Sequence, residues 1–453
     1  MKKSIYNIAH SSPQNEQTNS SLLNRLNQKF VSAVKWNMAE TIAYHTLFIT
    51  HQLSLFSAIG PELYGKAGAL FSFVFLSVTL LIGALDIALI PYIQIFTASK
   101  QNFKFLIFHY LAPQIILMLS APLLLWIFKA TGLVTRLDDY SWSSCLLVGI
   151  FIAGQSIHKL LRRLLQLMFL NKYTAGIEVA TLIMYMTLFW SAYFLGYTFS
   201  IPLIVFPYVV ASFITVTCFI LLIKKHAQEL PTTSNIPMHI HNFRTIQLCG
   251  IINQITRSVF SSNFLIPLFA LHAGFKQAGI ATLINYGAYT MTFFVQKICA
   301  PAAALFGNGQ HLTETQKQNH FSKSLQLFFS IILFLTLTFG LYGWTNILYL
   351  SNTTLLYACF FFLVHTLEHL FTLYEKFFAA QHKALTLTLC NVLSCVTSGY
   401  AFYILHTSHF LTAILVSFVA RALLFVILSF VIFSSKTRSF LWFFKKQHSK
   451  SAI

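Results

Sequence analysis

The chain has 453 residues, of which 56% are hydrophobic and only 9% charged, and it carries a formal net charge of +19. An ordinary soluble domain is about 25% charged. A soluble globule of this length could not cover its surface with so few charges, and the apolar content equally excludes intrinsic disorder. With a mean hydropathy of +0.68, the sequence describes a protein whose main solvent is lipid.

In chain order, the first 30 residues are polar and rich in Ser, Asn and Gln from Asn7 to Asn27. They read as a disordered cytosolic tail with no cleavable signal peptide. A membrane-spanning helix needs about 20 apolar residues. About 12 such runs follow, near 31–58, 67–95, 105–130, 143–170, 175–197, 202–223, 244–272, 280–306, 324–345, 353–380, 385–406 and 410–433. The longest connection, Lys224 to Phe243, holds Pro231, Pro237 and three histidines. It divides an N-terminal six-helix bundle (31–223) from a C-terminal one (244–433), and a basic tail occupies 434–453. The expected fold is therefore an all-α polytopic membrane protein, with two six-helix bundles around a central cleft. The spans leave no room for a large soluble catalytic domain.

Lys and Arg between the spans set the expected orientation. With the N-terminus inside, the inside segments hold 18 of them and the outside loops four, namely Lys66, Lys129, Arg136 and Lys276. Positive charge collects on the cytosolic side, so both termini are expected in the cytoplasm. The same distribution makes topology, rather than nucleic-acid binding, the reason for the net charge. All seven cysteines lie in or beside apolar runs and none forms a CxxC pair, which is the pattern of small apolar core residues.

The chain also repeats itself. Gly60-Pro61-Glu62-Leu63-Tyr64-Gly65-Lys66-Ala67 follows the first span, and Gly274-Phe275-Lys276-Gln277-Ala278-Gly279-Ile280-Ala281 follows the seventh. Both glycine pairs are offset by 214 residues, and each frames a short outside turn where a glycine permits positive φ. Six spans restore the original orientation, so the halves are expected to be parallel repeats about an axis along the membrane normal.

The run from Ile59 to Ile93, IGPELYGKAGALFSFVFLSVTLLIGALDIALIPYI, resembles the first hairpin of bacterial polysaccharide flippases. In that family a "GP-x-x-YG" turn precedes a second helix ending in "LD-x-G/A-x". Gly60, Pro61, Tyr64, Gly65, Leu85, Asp86 and Ala88 match. The resemblance implies the fold of the multidrug/oligosaccharidyl-lipid/polysaccharide exporter superfamily. It further implies alternating-access flipping of an anionic lipid-linked glycan across a bacterial inner membrane. The sequence departs from the family in its 47 Phe and 17 His.

Charges inside the spans point to the machinery, because each costs about 2.5–3.5 kcal/mol near a helix centre. Eight are basic (Lys35, Lys159, Arg162, Arg163, Arg257, Lys297, Lys376, Arg421) and five acidic (Glu40, Asp86, Glu178, Glu368, Glu375). An anionic substrate would complete the balance. Trp36, Glu40 and Tyr44 share one face of the first helix, and Gln247, Gln254, Arg257, Ser258 and Ser261 form a comparable stripe on the seventh. The 214-residue offset superposes Glu40 on Gln254, so both faces should line the cleft or hold the bundles together by interhelical hydrogen bonds. On the fourth helix, Gln155, His158, Lys159, Arg162 and Gln166 follow helical spacing, with Arg163 adjoining. Arginine grips phosphate oxygens bidentately. Alternatively, Arg162 and Arg163 anchor the cytosolic end of the helix. The expected substrate-binding set is Arg162, Arg163, Arg257, Lys159, Gln254 and Tyr44. The expected ion-coupling set, for a proton or sodium, is Glu40, Asp86 and Glu368.

His365-Thr366-Leu367-Glu368-His369 formally spells H-x-x-E-H, as in some zinc peptidases, but no third ligand accompanies it. A buried proton-relay or hydrogen-bonding face fits better. No Walker loop and no GxSxG elbow is present, so no cofactor is expected, and energy would come from an ion gradient. The remaining readings are a cation-coupled multidrug exporter of the same superfamily and, in a different class, an intramembrane zinc enzyme. A major-facilitator protein would carry a Gly/Asp/Arg-rich loop after its second span. The segment Thr97-Ala98-Ser99-Lys100-Gln101-Asn102-Phe103-Lys104 lacks that composition.

Overall fold

A computed structural model describes residues 13–131, 141–197, 200–233, 240, 242–258, 261–308, 321–334, 336–337, 352–381 and 383–405, with isolated positions from 413 to 425. The described elements are helical. They are α1 Pro13–Ile82, α2 Leu85–Ala88, α3 Ile93–Phe96, α4 Lys100–Leu106, α5 Ala112–Leu119, α6 Ala121–Ala130 and α7 Trp142–Leu167. Then follow α8 Asn171–Phe194, α9 Ile201–Glu229, α10 Phe243–Ser258, α11 Ser262–Asn308, α12 Phe321–Phe334, α13 Asn352–Ala380 and α14 Ala384–Leu405. Among the described residues, six helical stretches are long and apolar enough to cross a membrane. Their outer faces carry Phe108, Ile116, Leu123, Phe206 and Tyr403 in exposed positions, as a lipid solvent favours. The architecture is the expected one: an all-helical membrane fold built from two repeated bundles.

Both repeat turns are sharper than the sequence suggests. Each is a single residue, Gly60 at φ 75°, ψ 167° and Gly274 at φ 82°, ψ 166°, and helix resumes at the next position. The expected turn from Gly60 to Ala67 is thus almost wholly helical. The physical reason is that one glycine at positive φ redirects the chain, and Pro61 then occupies the first helical position, where its missing N–H costs nothing.

The second span is not one helix to residue 95. It ends at Ile82, Gly83 (φ 57°) and Ala84 (φ 53°) are both left-handed, and the chain continues as α2, a 3-10 turn over Ile90–Tyr92, and α3. The freed carbonyls are capped by side chains: Gln114 donates to Leu81 O, and Gln247 of α10 donates to Gly83 O at 3.3 Å. Such interruptions survive in a membrane only where protein satisfies the backbone.

Two boundaries also move. Helix α1 begins at Pro13, inside the segment read as a disordered tail, because polar residues without a breaker can extend a helix already nucleated further along. Helix α9 runs through Lys224 and Lys225 to Glu229, which shortens the expected linker. Most of the last expected span and the basic tail lie outside the described residues.

The two halves meet along a seam. A Cβ on Gly65 would overlap the Phe275 carbonyl, one on Gly279 would overlap the Pro61 carbonyl, and one on Gly68 would strike the Thr282 side chain. Gly65 and Gly279 are repeat equivalents, and equivalent residues can touch one another only where the symmetry axis passes. Further along α11 the seam is filled by ring pairs, Tyr286 against Phe48 at 5.2 Å and Tyr289 against His45 at 5.9 Å. Positions 279, 282, 286 and 289 form one helical face. At the opposite end a Cβ on Gly250 would strike Ala84, and Phe243 packs on Tyr92 at 5.6 Å. The halves are therefore in contact at both ends.

Candidate functional site

Two buried ion networks flank the seam. In the first half, Arg162 of α7 donates from Nη2 to Glu40 Oε1 of α1 at 2.5 Å, and its Nε lies 3.2 Å from Glu178 Oε1 of α8. His158, one turn before Arg162, bonds the same Glu178 oxygen through Nε2 at 2.7 Å. Asn171 donates to Asn37 at 3.0 Å and ties α8 to α1 beside them. Glu40 and Glu178 are 3% and 4% exposed, so their charge is held by these partners rather than by water. Two carboxylates against one guanidinium leave a net charge of −1 when His158 is neutral.

In the second half, Arg257 of α10 donates from Nη1 to Thr372 Oγ1 at 3.1 Å and faces Glu375 Oε2 of α13 at 3.4 Å. Asn391 of α14 donates to Asn253 Oδ1 at 3.1 Å and to Thr256 at 2.7 Å, and it accepts from Arg421 at 3.1 Å. Asn253, Arg257, Phe371, Glu375, Leu387 and Asn391 line a small cavity among these helices. One to two turns before Thr372 lies a second group. His365 directs Nε2 to Asn285 Oδ1 of α11 at 2.8 Å and Nδ1 to Glu368 Oε2 at 3.3 Å.

The structure brings some expected residues together and separates others. Arg162 and Glu40, expected in different roles, are direct partners. Arg163 is turned from that network and donates to Gln166 at 3.2 Å. Lys159 is exposed and reaches Thr79 Oγ1 at 3.3 Å, with Asp86 within electrostatic range. Asp86 sits on α2 just past the helix break, and it also acts on Glu375 across the seam. Tyr44 stacks on Phe48 at 6.1 Å. Gln254 is buried, and its Oε1 has no hydrogen-bond partner. Glu368 pairs with His365, whose other ring nitrogen bonds Asn285. Among the described residues no group of three His, Cys, Asp or Glu is placed to hold a metal ion.

Sequence reasoning placed Glu375 on the polar face of the tenth helix and gave no specific role to Glu178, Asn253, Asn285 or Asn391. The signal for the two glutamates was present, since both are acids within apolar runs. The asparagines carry no charge and only their helical neighbours reveal them.

No family model matches the chain, and no curated protein matches it by sequence. Solved structures do match in fold. The eukaryotic MATE transporter AtDTX14 is 14% identical, with a TM-score of 0.66 over 90% of this chain and 95% of that one. The Vibrio cholerae MATE transporter VcmN is 10% identical, with a TM-score of 0.64 over 92% and 98%. The MATE transporter ClbM, solved with Rb+, is 13% identical, with a TM-score of 0.62 over 89% and 94%. The chain has the fold these transporters share.

Proposed function

We propose that this chain is an alternating-access exporter of the multidrug/oligosaccharidyl-lipid/polysaccharide superfamily, driven by an ion gradient, whose substrate is an anionic lipid-linked glycan. Two bundles in contact at both ends of one seam support alternating access, because export requires each contact to open in turn. The observation that carries the substrate class is the charge within the spans, where eight basic residues accompany five carboxylates, an excess of three cations. Lys159 is exposed and its hydrogen bond goes only to a neutral hydroxyl, which leaves its charge for a substrate phosphate. Glu40, Asp86 and Glu368 are the coupling carboxylates in this reading, and both termini are cytoplasmic.

A second reading has its own observation. Phe48, Tyr44, His45, Tyr286 and Tyr289 form a continuous aromatic wall at the seam. Such a wall suits flat apolar compounds, and another structure of the same fold is described as a multidrug resistance MATE transporter. One experiment separates the two. In the deletion strain of the source organism, a lipid-linked sugar should accumulate on the cytosolic leaflet, and drug tolerance should be unchanged. Lost drug tolerance with no accumulated lipid-linked sugar would replace the first reading by the second.

A further inference from the structure

The segment from Ala84 to Phe96 belongs to the first half by chain and to the second by packing. Every residue in it except Asp86 and Gln94 is buried. A helix facing lipid keeps one side outward, whereas an element buried all round is inserted in protein. The surrounding protein is largely the other half. Helix α2 lies against α10 and α13, the 3-10 turn against α11 and α13, and α3 against α11. The insertion fills the inner end of the seam, the end away from the Gly60 and Gly274 turns. There Gly250 packs on Ala84, and Phe243 packs on Tyr92 at 5.6 Å and on Phe96 at 6.4 Å.

The second half does not return the insertion. At the 214-residue offset, Gly83 and Ala84 correspond to Lys297 and Ile298, and α11 runs through both positions as helix to Asn308. The residue equivalent to Gly250 is Trp36, which is 40% exposed, with Lys172 Nζ 5.5 Å from its ring centre. The repeat is therefore broken at the inner end, and one half alone supplies the element that enters the other.

Two glutamines hold the helix break, and they differ in kind. Gln114 of α5 donates to Leu81 O from within the first half, so this bond is independent of the seam. Gln247 of α10 donates to Gly83 O from the second half at 3.3 Å, so this bond exists only while the inner end is closed. At its far end the segment is tied to α4, because Asn102 donates to Ile95 O at 2.9 Å and the Ser99 hydroxyl accepts from Asn102 N at 3.2 Å.

We infer that residues 84–96 are a movable plug of the inner end, hinged at Gly83 and Ala84 and carried with α4, and that Gln247 is the positioning residue that latches it. This rests on the exporter reading, which requires the inner end to open. Withdrawal of the plug severs the Gln247 bond and leaves the Gln114 bond intact. The Gly83 carbonyl is then met by water entering the opened seam, so the latch exchanges one hydrogen bond for another and its release is inexpensive.

The test reads distances in the full chain in lipid nanodiscs by electron-spin resonance. Spin labels on azide-bearing unnatural residues replace Gln101 of α4 and Thr245 of α10, both exposed at the inner end. Gln247→Leu should raise the ratio of the long to the short inner distance by about 2- to 12-fold, the range for one net hydrogen bond. Gln114→Leu should leave that ratio unchanged and lower the Tm instead. An unchanged ratio in Gln247→Leu, or an equal rise in Gln114→Leu, would overturn the latch. A cross-link tests the plug itself, and it serves also should Gln247→Leu fail to fold. A Cβ on Gly250 lies 3.7 Å from that of Ile87, close to the disulfide mean of about 3.8 Å. Ile87→Cys with Gly250→Cys, and Ala84→Gly to make room, should lose the long inner distance on oxidation and regain it on reduction. A long distance that persists in the cross-linked protein would show that the inner end opens with the segment in place and would overturn the plug. These distances are read without substrate, so they can fail while the exporter reading stands, and a failed exporter reading would leave them unchanged.

Discussion

The ion networks of the two halves use the same helices with opposite polarity. In the first half the carboxylate Glu40 sits on the opening helix and its partner Arg162 on the fourth. In the second half the guanidinium Arg257 sits on the opening helix α10 and the carboxylate Glu375 on the fourth, α13. The fifth helix contributes Glu178 to one and Asn391 to the other. The repeat therefore preserves where polar groups meet but not their sign. Replacing one acid by an amide also changes the balance. The first network holds two carboxylates against one arginine, whereas in the second Asn391 bonds neutral groups and a further arginine.

This difference predicts unequal responses to the same substitution. Arg162→Gln removes the guanidinium shared by two buried carboxylates, leaving Glu178 with His158, and should destabilise the protein by about 3–5 kcal/mol, the range for breaking a buried pair. Thermal unfolding in detergent should show it as the largest loss of the series. Arg257→Gln strands only Glu375 and should cost visibly less. Equal losses at the two sites would mean that the networks are energetically equivalent despite their composition. Arg162→Lys keeps the charge but loses the fork that reaches both acids, and it should fall between wild type and Gln.

A second pair of variants examines the axis where the halves are most alike. Gly279→Ala places a methyl group against the Pro61 carbonyl, and Gly65→Ala places one against the Phe275 carbonyl. Backbone cannot swing aside, so both should hold the halves apart at that end. Overpacking of this kind costs about 1–3 kcal/mol. A cysteine introduced as Thr282→Cys, in a background without the native cysteines, should then label faster with a polar thiol reagent. Labelling as slow as in the parent would show that the seam absorbs a methyl group.

The smallest effect on stability is expected at Lys159. It is exposed and bonded to a hydroxyl, and an exposed pairing is worth about 0–1 kcal/mol. Lys159→Gln should leave unfolding unchanged while reducing flux of an anionic substrate per inserted molecule. Unchanged flux would remove Lys159 from the substrate path. The comparison with Arg162→Gln then separates structural cations from those left for substrate.

Much of the frame was legible from residues alone. The two glycine pairs at a spacing of 214 announced the repeat, and the backbone at Gly60 and Gly274 agrees within a few degrees. The charges within apolar runs announced where polar contacts must lie. Their partners were not legible. Arg162 and Arg163 are adjacent in sequence, yet one enters the carboxylate network and the other bonds Gln166. Successive helical residues point about 100° apart, and only packing decides which direction is inward. Ala84 shows the same limit. Nothing in its side chain calls for left-handed backbone, and Gly250 of the other half packs directly against it.

The sequence by itself determined the solvent, the helical class, the two-fold repetition and the place of the two repeat turns, because apolar length and glycine stereochemistry are local properties. Tertiary structure decided which charges neutralise one another, which helix breaks, and which residues close the seam. Those outcomes depend on groups more than a hundred residues apart, as Glu40 and Arg162 are, brought together by helix packing in a medium where no water can take a partner's place.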